Sequence, residues 1–197
     1  FAERDMGSNI IAYQNDVDYY NEHGHSRVVK EGDKYSYDYY AHIRQLQLWA
    51  QYGLNIGGLS LNLGAEVGYQ GMWRQGLWRK GLFANGNDSF GDSTHLNYLT
   101  YKGKAALSYR FSGAHSLALN AMAMQDAPKF QTAFVSPRTR NQTNPGLTPE
   151  QLYSVELCYN INLPYIKARL SAFYTEMHNQ SKVISFYDDT QSSFTNF

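Results

Sequence analysis

The sequence predicts an all-β fold, an antiparallel transmembrane β-barrel segment of about six strands, and three observations predict it. Apolar and polar residues alternate with period 2 in six separate stretches, which is the period of a strand with unlike faces. The connections between these stretches are tight and long in strict turn, and aromatic side chains collect near the stretch ends.

The first stretch, residues 44–54, sets Leu46, Leu48, Ala50, Tyr52 and Leu54 against Gln45, Gln47 and Gln51. The second has the cleanest contrast, Leu59, Leu61, Leu63, Ala65, Val67 and Tyr69 against Ser60, Asn62, Gly64, Glu66, Gly68 and Gln70. In the third, Leu99, Tyr101, Gly103, Ala105, Leu107, Tyr109 and Phe111 oppose Lys102, Lys104, Ser108 and Arg110. The fourth sets Leu117, Leu119, Ala121 and Ala123 against Ser116 and Asn120, with Met122 and Met124 weakening the polar side. The fifth sets Tyr153, Val155, Leu157, Tyr159 and Ile161 against Ser154, Glu156 and Asn160. The sixth sets Ile166, Ala168, Leu170, Ala172 and Tyr174 against Lys167, Arg169, Ser171 and Thr175, with Phe173 as the exception.

Residues 55–58, 112–115 and 162–165 carry the Gly, Asn, Ser and Pro chemistry of tight hairpins. The other connections run roughly over residues 71–97 and 127–150, too long for ordinary loops of a compact domain. Short turns on one side and long loops on the other are the pattern of an outer-membrane barrel, so strands one, three and five are expected to run toward the periplasm. Aromatic residues at the ends (Tyr52, Tyr69, Tyr101, Tyr109, Phe111, Tyr159, Tyr165, Tyr174) fit rings placed at a membrane–water boundary. A lone tyrosine would carry little weight, because aromatics favour half-buried strands in any sheet.

Composition narrows the function classes. Within 197 residues, 17 basic and 17 acidic side chains leave no net field for nucleic acid, and the single Cys158 excludes an internal disulfide or a four-cysteine zinc site. A mean hydropathy of -0.53 and no apolar run near 18 residues exclude a transmembrane helix but not transmembrane strands. The chain starts at Phe1 without a leader and stops at Phe197 in a polar stretch, which reads as a piece of something longer. The expected divisions are an extracellular loop and strand lead-in over 1–38, the six strands with their long loops over 39–178, and the start of a further loop over 179–197.

No nucleophile elbow, P-loop, zinc-protease motif or cysteine pair is present, so an enzyme is not expected and no cofactor is implied. The weak metal candidate is the stretch holding Asp16, Asp18, His23 and His25, which misses the glycine and final glutamate of a calcium loop; a solvated loop is the better reading. Three Asn-x-Ser/Thr triplets, at Asn87, Asn141 and Asn179, are short enough to arise by chance. Trp73, Arg74, Trp78, Arg79, Lys80 and Phe83 concentrate rings and cations in what reads as a loop outside the strands. They are the candidate substrate contacts, against a bland reading as rim packing and charge facing lipopolysaccharide. Glu66, Lys102, Lys104, Arg110, Glu156, Lys167 and Arg169 fall on the polar side of their strands and are the lumen-facing candidates.

Between the fourth and fifth stretches the wording becomes specific. Ala127-Pro128-Lys129-Phe130, Ser136-Pro137-Arg138-Thr139-Arg140-Asn141, Asn144-Pro145-Gly146-Leu147-Thr148-Pro149-Glu150 and the following Tyr153-Ser154-Val155-Glu156-Leu157-Cys158-Tyr159 resemble, in order and spacing, the barrel of TonB-dependent outer-membrane receptors, with a wording like that of the Bacteroidota. The resemblance covers about residues 36–197. Asp126 departs from it, standing where the family usually has arginine, and so does Cys158, standing where it usually has glycine. The resemblance implies a barrel of about 22 strands in the outer membrane of a Gram-negative bacterium. It also implies a plug domain and a closing strand, neither of which lies in this sequence, and active uptake of a nutrient driven by the TonB complex through that plug. Implied partners are the receptor's own plug and remaining strands, outer-membrane lipid and a surface lipoprotein. The alternatives are a soluble all-β binding or adhesion domain, whose apolar faces would meet a second sheet, and a passive porin.

Overall fold

The structure, a computed structural model, describes residues 4–5, 16–25, 28–34, 37–182, 184–188 and 193–196. Antiparallel β-structure dominates. In chain order the elements are β1 (Arg4–Asp5), α1 (Val17–His23), β2 (Val28–Val29), β3 (Tyr39–Ile56), β4 (Leu59–Gly76), β5 (Gly91–Asp92), β6 (Leu96–Arg110), β7 (His115–Asp126), α2 (Phe130–Ala133), β8 (Glu150–Asn162), β9 (Lys167–His178), β10 (Ser185–Asp188) and β11 (Ser193–Asn196). The six alternating stretches form one sheet in the order β3-β4-β6-β7-β8-β9, and β5 continues the ladder on β4 past the start of β6. Separate two-stranded ribbons, β1–β2 and β10–β11, occupy parts of the two terminal regions expected to be loop.

The hairpins fall where turn chemistry places them. Ile56 pairs with Leu59 across Gly57-Gly58; Gly57 has φ 57°, and a Cβ on Gly58 would sit 2.4 Å from the Arg110 carbonyl oxygen. The first needs a left-handed conformation and the second has no room, so glycine is required at both for different reasons.

Register puts the six apolar sets on one face. Across the strands lie Tyr52, Leu63, Ala105, Ala121, Val155 and Tyr174 in one row and Leu54, Leu61, Leu107, Leu119, Leu157 and Ala172 in the next. A slip of one residue anywhere would mix the faces. No layer covers this face among the described residues; Leu46 and Leu170 each keep 74% of their surface exposed. The outer edges of β3 and β9 have no ladder partner among the described residues.

Two strands run further than the alternation suggests. β3 begins at Tyr39 and β4 continues to Gly76, so Trp73 and Arg74 belong to a strand, a correction to their placement in a loop. Beyond the apolar band both faces mix polar and apolar side chains and the alternation fades, but the backbone ladder continues. The packed core lies at that end on the polar side, where Met72, Ala133 and Phe134 are buried against Leu96, Tyr98, Ala127, Phe130 and Leu147.

Candidate functional site

The long connections, residues 77–95 and 127–149, fold together over the polar face at the far end from the hairpins. Arg74 ties them. Only 1% exposed, its guanidinium donates to the carbonyl of Pro137 through Nε (2.6 Å) and, through Nη1, to the carbonyl of Ser89 (2.9 Å) and to Asn141 Oδ1 (2.5 Å). The Tyr39 ring lies 5.0 Å from its Cζ. Asn141 completes the knot. Its Nδ2 donates to the carbonyls of Asn87 (2.6 Å) and Gly91 (3.2 Å), and its backbone N–H donates to the carbonyl of Asp88 (2.6 Å). A planar, permanently charged fork is the side chain suited to three carbonyl-type acceptors in a buried junction.

Gly76 makes this closure possible. A Cβ there would lie 1.9 Å from the Ser89 carbonyl oxygen and 2.6 Å from Arg74 Nη1. Gly76→Ala is expected to push the 77–95 loop off the sheet at a cost of about 1–3 kcal/mol. Faster protease nicking within that loop checks this; an unchanged rate would contradict it.

Beside the knot is a cavity of about 530 Å³ lined by Phe83, Asn87, Asp88, Ser93, Thr94, Arg140, Asn141, Gln142 and Thr143. Its size is that of a small-molecule site. Ser93 and Asn141 are already committed to hydrogen bonds, so they serve as wall. Carboxamides, hydroxyls, one carboxylate and one guanidinium make the lining suitable for a polar ligand. Of these residues only Phe83 was among the candidate substrate contacts; Asn87 and Asn141 were marked only as heads of Asn-x-Ser/Thr triplets, and Arg140-Asn141 only as part of the family-like wording. The others come from two loops about fifty residues apart, and no local pattern joins them.

The six candidate contacts are dispersed. Trp73 lies on the apolar face, where it stacks between His42 (4.6 Å, 12°) and His95 (4.5 Å, 8°), so it is not part of this cavity. Arg74 is consumed in the knot. Trp78 is half-buried. Arg79 holds Asp18 (3.1 Å) and the carbonyl of Ala84 (3.0 Å) with Phe90 4.9 Å away, tying the lead-in helix α1 to the loop. Burial pushes the Lys80 ammonium down to about 8, and its backbone N–H donates to Ser89 Oγ (3.0 Å). Phe83 alone reaches the cavity, with Arg140 4.8 Å from its ring.

All seven lumen candidates share the polar face, as the register requires. Lys102 lies between Glu66 (3.5 Å) and Asp126 (3.3 Å), so the family departure at Asp126 has a cationic partner. Glu156 accepts from Arg169 (2.9 Å) and Asn120 (3.2 Å), and the same Arg169 nitrogen donates to the buried Cys158 Sγ (2.9 Å). Lys104, Arg110 and Lys167 are exposed.

The metal candidates do not converge. Asp16 caps α1 by accepting from the Tyr19 N–H (3.2 Å), and Asp18 pairs with Arg79. His23 stacks on Tyr19 (4.1 Å, 11°) and His25 meets both rings edge-on. Among the described residues no group of three His, Cys, Asp or Glu side chains is placed to hold a metal ion. Of the glycosylation triplets, that at Asn141 has its amide consumed in the knot.

No protein-family model matches the chain, and no curated protein matches it.

Proposed function

We propose that this chain is part of the barrel of a TonB-dependent outer-membrane receptor, six adjacent strands of the wall with the extracellular loops between them. Further strands would join the open edges of β3 and β9, because unpaired edges are not viable in lipid. The wall excludes lipid, the loops shape the entrance, and the chain performs no chemistry on the nutrient.

One observation carries the reading: the aromatic lines cross the sheet at a slant. The outer line runs from Tyr69 through Tyr101 and Tyr153 to Tyr174; relative to the register it drops six residues over the four steps from β4 to β9. The inner line runs from Tyr52 through Tyr109 to Tyr159 and drops four residues over the four steps from β3 to β8, all of it between β3 and β6, since Tyr109 and Tyr159 share one row. Both lines descend toward the hairpins. Their mean, about 1.25 residues per step, is about 4.2 Å along a strand against about 4.8 Å between strands, a tilt of about 40°. Membrane barrels tilt their strands by about 35–45° and carry two such girdles. A soluble sandwich has no reason to place tyrosines on two lines that descend the same way over an apolar face that no layer covers among the described residues.

The test is made on the intact receptor. Expected are recovery in the outer-membrane fraction, migration on a gel that changes on heating, and nutrient uptake that stops when the proton gradient is collapsed. Uptake indifferent to the gradient would make it a passive porin. A monodisperse protein needing no detergent would overturn the barrel.

A further inference from the structure

We propose that the outward face just above the outer aromatic line binds the phosphate groups of outer-leaflet lipopolysaccharide, through Arg44 and the His42–Trp73–His95 stack. The inference rests on the barrel reading, which fixes the outward face and the membrane level.

Register places these residues. Leu46, Tyr69 and Leu99 form the last apolar row; the next row outward is Arg44, Gly71 and Asn97, and the next pairs His42 with Trp73, on whose ring His95, just ahead of β6, stacks. Arg44 is therefore two residues and Trp73 four residues past the last apolar row on their strands. At about 3.4 Å per residue and a tilt of about 40°, Arg44 stands about 5 Å and Trp73 about 10 Å above it. The polar headgroup layer occupies roughly that height beyond the hydrocarbon.

The chemistry fits an anion at this level. The Arg44 side chain is exposed, with its Cζ 4.8 Å from the Trp73 ring centroid, which fixes its direction while leaving its N–H groups available to a phosphate. The three rings form a near-parallel palisade across β3, β4 and the residue just ahead of β6, and Gln75 Oε1, 3.1 Å from His42 Nε2, steadies its rim. Gly71, opposite Arg44, has no side chain of its own, and the Tyr69 hydroxyl, donating to Asn97 Oδ1 (2.5 Å), lies beside it and adds polar groups to the ledge. The register places two acidic groups on this face: Asp92, paired with Gln75 one row further from the membrane, and Glu176, opposite Tyr153 on the edge strand β9, where His178 holds it at 2.9 Å. Such a ledge also explains why Trp73 and the two histidines face away from the polar side, where a substrate would pass.

The test uses the intact receptor in detergent, with diphosphorylated lipid A and its dephosphorylated counterpart as probes, read by native mass spectrometry. Wild type is expected to prefer the phosphorylated lipid, Arg44→Glu to weaken that binding about tenfold, and Arg44→Lys to restore most of it. His95→Ala, at an exposed position, is a milder second variant and is expected to weaken binding several-fold without disturbing the fold. Equal binding of both lipids, or R44E and H95A indistinguishable from wild type, would overturn the proposal and leave the barrel reading standing. A receptor that stays soluble without detergent would show instead that the barrel reading had failed.

Discussion

Arg74→Leu is expected to release both long loops from the sheet and to cost about 3–5 kcal/mol of local stability. Leucine ends at Cδ, short of the Nε and Nη1 atoms that make these contacts, so the variant loses the charged donors together with the atoms that fill the junction. The carbonyls of Ser89 and Pro137 and the Oδ1 of Asn141 lose their charged donor in a junction that is closed to water. An unsatisfied buried acceptor costs about 1–3 kcal/mol, and three at one point do not relax independently. Arg74→Lys should recover only part of this, since an ammonium gathers its donors on one nitrogen and cannot span acceptors that the guanidinium reaches from both Nε and Nη1. The measurement is protease protection of residues 77–95 and 127–149 in the folded protein. Both loops should become susceptible together, because the knot joins them, while the strands stay resistant. Loss of protection in one loop alone would mean that Arg74 does not couple them.

If the proposed barrel reading holds, Ala105→Arg is expected to destabilise the protein in a bilayer by about 2–4 kcal/mol, and the same change one residue later, Ala106→Arg, to be nearly neutral. The two differ only in face. Ala105 lies in the apolar row of Leu63 and Ala121, midway between Tyr101 and Tyr109, whereas Ala106 shares the polar face with Asn62 and Asn120. A third variant separates lipid from protein as the cover of the apolar face. Ala168, on the same face, pairs with Ile161 beyond the inner aromatic line. In a bilayer an arginine there reaches headgroups, so Ala168→Arg should cost about 0–1 kcal/mol. A second sheet packed on this face would impose no such gradient with depth. Unfolding midpoints in bilayers for the three variants give the answer, and equal costs at 105 and 168 would count against lipid.

Much of the fold was legible in the sequence, because strand faces are a local property. The second stretch, from Leu59 to Tyr69, states its two faces residue by residue, and Gly57-Gly58 fixes the turn and hence the register with β3. With three such hairpins in place, the sheet order follows from the loop lengths. Strand ends were less legible: β4 continues to Gly76 after its alternation has faded, since a ladder needs backbone partners and no particular side chains. The candidate site was the least legible part. Trp73 and Arg74 are neighbours in sequence and read as one cluster of ring and cation, but successive strand residues point to opposite faces, so one stacks outward while the other is buried inward.

The sequence alone therefore determined the period-2 pattern, the tight turns and the unlike faces, all set by interactions between residues a few positions apart. Only the tertiary structure decided that Arg74 would meet Ser89, Pro137 and Asn141, partners 15, 63 and 67 residues away. Hydrogen bonds across such separations leave no periodic trace, because any loop path that brings a carbonyl to the same point in space would satisfy the same guanidinium.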